Sequence, residues 1–175
     1  MTGTTAKFPV TMRLMHWSMA ALLLSMLCAG AVMVDSLATW QPALLTMHKS
    51  FGVVALFLVF PRLLVRLTSA VPALPSSLPP LQKLAATLSH YFLYVLMFAL
   101  PVTGLLMQYN AARPVDFFCV ASLPAALSTN IEAFALYRVS HGYLALALIV
   151  VVGVHVSAAL YHHFVRKDDV LKSML

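Results

Sequence analysis

The first chemical signal is a pair of histidines in the last long apolar stretch. Val139 to Val165 (VSHGYLALALIVVVGVHVSAALYHHFV) runs 27 residues without Asp, Glu, Lys or Arg, long enough to cross a bilayer as a helix. His141 and His155 lie fourteen residues apart inside it. At about 1.5 Å and 100° per residue, fourteen steps advance roughly 21 Å and return to within about 40° of the same face. Two imidazoles on one stripe, one near each membrane surface, could each hold a haem iron. Each iron then needs a second axial ligand from elsewhere in the chain.

The elements that would position such ligands are membrane helices. The chain is 62% hydrophobic and 9% charged, with a mean hydropathy of +0.92, which describes an integral membrane protein rather than a soluble core. At 175 residues it is short for more than one domain, so residues 1–175 are read as a single membrane domain. Runs free of charge or nearly so predict spans at about 14–34, 43–65, 84–107 and 139–165. The first is too long for the apolar core of a cleavable leader and reads as a span. The expected fold is all-α, an integral membrane four-helix bundle with two haems b held within it. Pro61 and Pro101 fall where they kink or end a helix rather than forbid it. Trp40 sits at an expected membrane interface.

Two connections stand out. Residues 68–82 (TSAVPALPSSLPPLQ) are rich in proline and read as a compact surface link. The loop from Gln108 to Tyr137 is too long for a simple turn, and its apolar content predicts a segment lying on the membrane surface or folded over a site. Cys28 lies well inside the first apolar run, which argues against a disulfide with Cys119 in that loop.

Charge sets the expected orientation. With four spans, both termini share a side with the 68–82 link. That side carries Lys7, Arg13, Arg62, Arg66, Lys83, Arg166, Lys167 and Lys172, whereas the other carries Lys49, Arg113 and Arg138. The asymmetry places both N- and C-termini in the cytoplasm. The formal charge of +6 gathers at the ends of apolar segments, which fits membrane topology and argues against nucleic-acid binding.

The seven histidines are His16, His48, His90, His141, His155, His162 and His163. An ionisable side chain inside a span is costly and points first to function, although a lone one can simply bond a neighbouring helix. His16 lies near the inner face and His48 just inside the outer one, so across a core of about 30 Å their depths differ by about 20 Å. That matches the rise between His141 and His155. His16 can therefore meet His155 at an inner iron, and His48 can meet His141 at an outer one. His90 lies at the depth of His16 and competes for that place, or contacts a haem edge or a quinone. His162 continues the stripe of His155 toward the cytoplasm and could meet a propionate or a quinone head; with His163 it could equally be an interfacial polar residue beside Tyr161. Gly142, Gly153 and Gly52 would let a flat macrocycle near the backbone, or would serve ordinary helix packing. Four neutral ligands at two depths cannot enclose one tetrahedral zinc, and no thiolate accompanies them. Catalytic triads, phosphate loops and dinucleotide fingerprints are absent.

Laid out this way, the chain resembles the bacterial dihaem cytochrome b561 family over nearly its whole length. The resemblance rests on RLMHW, MHKSFGVVALFLVFPRLLVRL, HYFLYVLMFALPVTGLLMQYN, SHGYLALAL and GVHVSAALYHHFVRKD. The family's ligand positions fall on His16, His48, His141 and His155. Among its members the short stand-alone type, the superoxide oxidases, is most similar. That likeness implies a bacterial inner (cytoplasmic) membrane protein with two haems b, oxidising periplasmic superoxide and reducing ubiquinone in the membrane. Other relatives are cytochrome b subunits that carry electrons for a hydrogenase or a dehydrogenase, so a relay serving a redox partner protein is the alternative.

Candidate propionate partners are Arg13, Arg62 and Arg66 inside, and Lys49, Arg113 and Arg138 outside, each also explained by topology. A quinone head could find His90, His162 and Tyr91 on the inner side, or Tyr109 and Asn110 outside. The outer cations are balanced by Asp35, Asp116 and Glu132, so steering of a superoxide anion would require local clustering.

Overall fold

The computed structural model describes residues 7–34, 36–70, 78–118 and 120–175. Four helices dominate it: α1 (Val10–Val34), α2 (Gln41–Thr68), α3 (Pro80–Asn110) and α4 (Ile131–Tyr161). All four are long and apolar enough to cross a membrane. Prolines open α2 and α3 in their first turns, where a missing N–H costs no helical bond. Pro61 and Pro101 are carried inside continuous helices.

The fourth helix begins at Ile131 rather than near Val139. Asn130 caps it, its side-chain oxygen accepting the Ala133 N–H at 3.0 Å, and Glu132 lies in the first turn. Such a cap and a first-turn acid stabilise a helix start whether or not the residues that follow lie in lipid. The apolar run therefore marks the membrane-crossing part of a longer helix.

The long loop holds a departure from an all-helical fold. Strands β1 (Val115–Phe117) and β2 (Ala121–Leu123) pair antiparallel, with Val115 opposite Leu123 and Phe117 opposite Ala121. Pro114 precedes β1 and cannot continue a helix-type ladder. The hairpin folds onto α2. Ser50 Oγ donates to Asp116 O at 2.9 Å and accepts from the Phe118 N–H at 3.3 Å. Phe51 and Phe118 meet edge to face at 5.2 Å, and Val115 is buried. This anchorage lies two and three residues after His48.

α1 packs on α2, α2 on α3, and α3 most extensively on α4. Among the described residues, backbone contact between α4 and either α1 or α2 is slight. Met19, Val59 and Met97 form a small shared core of the first three helices. Large apolar side chains such as Phe57, Leu64, Phe98 and Val154 point outward, as lipid-facing helices require. Phe8 N donates to Ser173 O and Trp17 Nε1 to Met174 O, each at 2.9 Å. Both ends of the described chain thus meet at one end of the bundle. Cys28 is exposed on α1. Asp35, Cys119 and the proline-rich residues 71–77 lie outside the described residues.

Candidate functional site

α4 reaches α1 and α2 through histidines. At one end of the bundle the rings of His16 and His155 have centroids 6.3 Å apart. At the other, His48 and His141 are 6.4 Å apart. Two imidazoles bound to opposite faces of one metal, with bonds of about 2.0 Å, place their ring centres about 6.3 Å apart. Both pairs meet that distance, so the donor sets fit two haem irons. His90 also approaches His155, with centroids at 5.5 Å, closer than an iron between them would allow. Among the described residues no three His, Cys, Asp or Glu side chains converge into a metal cage.

The surroundings of the two pairs fit a flat group further. A Cβ built on Gly142 would have nothing within 4 Å, so α4 beside His141 is open. Gly153, two residues before His155, is equally open. Gly52 faces the end of Met26 instead, with 3.8 Å to the Cε, an ordinary packing contact. Met26, Ala29, Met47 and Phe51 line an apolar cleft between α1 and α2 that opens onto His48.

The end that holds His16 and His155 is more polar. Arg62 places Nη2 3.1 Å from His16 Nδ1, and its guanidinium lies over the Tyr94 ring at 5.8 Å. Arg62 Nε is buried without a partner. The side chains of Arg13, Arg66, Lys49, Arg113 and Arg138 form no ion pair with a described residue. Of the cations considered from sequence, Arg62 alone is brought against a histidine of either pair.

His162 has a partner that sequence did not suggest. Its Nδ1 lies 2.6 Å from Asp168 Oδ2, with Arg166 Nε 3.6 Å from the same oxygen. α4 passes into a π-helix over His162–Arg166, and Lys167 takes a left-handed conformation with φ 53 that turns Asp168 back. Burial alone would raise the Asp168 carboxyl; hydrogen bonds from His162 and the Val170 amide, with the charges of His162 and Arg166, outweigh it and hold the group below its ordinary range. Asn110, a quinone candidate, commits its side-chain N–H to Leu106 O at 2.8 Å. Tyr91 and Tyr109 are exposed. His163 stacks edge-on against Phe164 at 4.8 Å.

Paired imidazoles at two levels of an apolar helix bundle have the form of a membrane-embedded redox protein. The chain belongs to the prokaryotic cytochrome b561 family, whose model matches residues 7–175. It is 31% identical over 176 residues to cytochrome b561 homolog 2 of Escherichia coli (strain K12), covering 99% of this chain and 94% of that one. It is also 29% identical over 162 residues to the probable superoxide oxidase CybB of Yersinia pestis, covering 91% and 90% of the two chains. A third relative, cytochrome b561 homolog 1 of Escherichia coli (strain K12), is 29% identical over 128 residues, 73% of this chain and 72% of its own. The protein is accordingly a multi-pass membrane cytochrome whose family carries haem b and moves electrons across the membrane.

Proposed function

We propose that the chain holds two haems b, an inner one between His16 and His155 and an outer one between His48 and His141, and acts as a superoxide:ubiquinone oxidoreductase of the bacterial inner membrane. The observation that carries this reading is the repeated pair separation, 6.3 and 6.4 Å, at two levels of one continuous helix. The name of the Yersinia pestis relative supports the choice of superoxide. The excess of Lys and Arg at the end shared by the termini supports a cytoplasmic place for both.

Haem b at these positions supplies one-electron transfer through its edge. The balance is two superoxide anions, one quinone and two protons giving two dioxygen molecules and one quinol. α4 spaces the two sites about 21 Å apart along its axis, and the apolar helices keep water out between them. His16 with His155 and His48 with His141 would hold the two groups between facing imidazoles, and the chemistry supplied there would be electron transfer rather than dioxygen binding. With iron on Nε2, His16 must carry its proton on Nδ1 and can no longer accept from Arg62. Nη2 and the partnerless Nε of Arg62 then suit an anionic carboxylate, which favours Arg62 as a propionate partner. His90, which cannot share an iron with His155 at 5.5 Å, serves as a polar neighbour on the quinone side together with His162.

The test is stopped-flow mixing of the oxidised, purified protein with superoxide while the reduced b-haem band is followed. Fast reduction that is lost in His48→Ala and turned over by excess ubiquinone is expected. A protein carrying both haems that superoxide fails to reduce would overturn the substrate assignment and leave a relay fed by a partner protein.

A further inference from the structure

Of the four paired histidines, His141 alone has its second ring nitrogen held by hydrogen-bond acceptors. Its Nδ1 lies 3.1 Å from Leu100 O and 3.2 Å from Thr103 Oγ1. The Thr103 hydroxyl in turn lies 2.9 Å from Ala99 O and 2.9 Å from Leu100 O. Its single proton is committed to those carbonyls, so toward His141 the oxygen accepts. A carbonyl can only accept. His141 therefore carries its proton on Nδ1 and presents the lone pair on Nε2. Gly104 completes the seat: a Cβ there would lie 3.3 Å from His141 Cε1, tighter than the ring could take without shifting.

The other three differ. His48 Nδ1 is buried without a partner. His16 Nδ1 faces the Arg62 guanidinium, a donor. His155 makes no hydrogen bond among the described residues. A ligand histidine whose N–H is accepted becomes a stronger electron donor to its metal, which favours the oxidised iron. A fixed positive charge nearby does the reverse.

We propose that Leu100, Thr103 and Gly104 form a positioning turn that fixes the tautomer of His141 and lowers the potential of the outer site relative to the inner one. Arg62 raises the inner site from the opposite end. An electron entering outside then runs downhill toward the side of His16 and His155. Both effects rest on His141 and His16 being axial ligands, as proposed above.

Redox titration of Thr103→Val reads the effect, because valine keeps the shape and removes one of the two acceptors, leaving Leu100 O alone. One of the two midpoints is expected to rise, by up to about tenfold in that haem's oxidised-to-reduced ratio at fixed potential, the worth of one hydrogen bond, which is about 59 mV for one electron. The other midpoint stays, and Thr103→Ser behaves as the parent. Loss of one haem in the valine variant with retention in the serine variant supports the same role. Unmoved midpoints, an equal shift of both, or equal haem loss in both variants would overturn it. His141→Ala separates the failures. Loss of one haem there, with unmoved midpoints in Thr103→Val, keeps the ligand assignment and removes the tuning. Both haems retained in His141→Ala removes both.

Discussion

The two ends of the bundle hold histidine pairs at nearly one separation, 6.3 Å for His16 and His155 and 6.4 Å for His48 and His141, in different electrostatic surroundings. At the end where the described termini meet, His16 and His155 share their space with His90 and the guanidinium of Arg62, which also lies over Tyr94. At the other end no charged side chain among the described residues bonds the pair; the α3 backbone, a threonine hydroxyl and Gly104 hold His141, and a hairpin is pinned to α2 just beyond His48. On the proposed reading, the spacing of the rings sets which group can bind, whereas the second ring nitrogen and the nearest charge set how readily each site accepts an electron.

The largest effect should come from His155, which both His16 and His90 approach. His155→Ala is expected to halve the haem content and to abolish electron transfer from superoxide to quinone, while His90→Ala keeps both haems by quantitative haem assay. Loss of a haem in His90→Ala but not in His16→Ala would exchange their roles. Next, Arg62→Gln removes the inner charge and should lower the inner midpoint in a redox titration while leaving the outer one in place. A fall in both would mean that the two ends are not electrostatically separate.

A smaller effect is expected at the hairpin. Ser50→Ala leaves Asp116 O and the Phe118 N–H without their partner at a site where Ser50 is 1% exposed, a cost of about 1–3 kcal/mol. Chymotrypsin cleavage at Phe117 or Phe118 should quicken, with haem content unchanged. The smallest effect concerns Asp168. Its folded pKa lies below the ordinary value of 3.8, so the stability it contributes is present above that value and is lost as pH falls through the folded one. Melting temperatures of the parent should drop on acidification below about pH 4 more than those of Asp168→Asn.

Much of this arrangement was legible in the chain itself. The matching depths of His16 with His155 and of His48 with His141 follow from helical rise and membrane thickness alone, and the structure brings those same residues together. The start of α4 was not, because an absence of charge delimits only the apolar part of the helix, whereas Asn130 and Glu132 mark a start in the polar region and the helix admits Arg138. The hairpin strands are three residues each and lack a glycine turn; Phe118 takes the left-handed conformation instead, at φ 47, so no short-range signal announced them. The seat of His141 depends on how α3 and α4 cross, which spacing within one helix does not reveal. Asp168 reaches His162 only because a π-turn and the left-handed Lys167 reverse the chain, a geometry outside regular helical periodicity.

The most direct test of the account is the haem-to-polypeptide ratio of the purified protein, measured beside His16→Ala and His48→Ala. Two haems in the parent and one in each variant, with the two variants losing different redox components, is the predicted result. A single haem in the parent, or the same component lost from both variants, would contradict two separate sites at the two ends of the bundle.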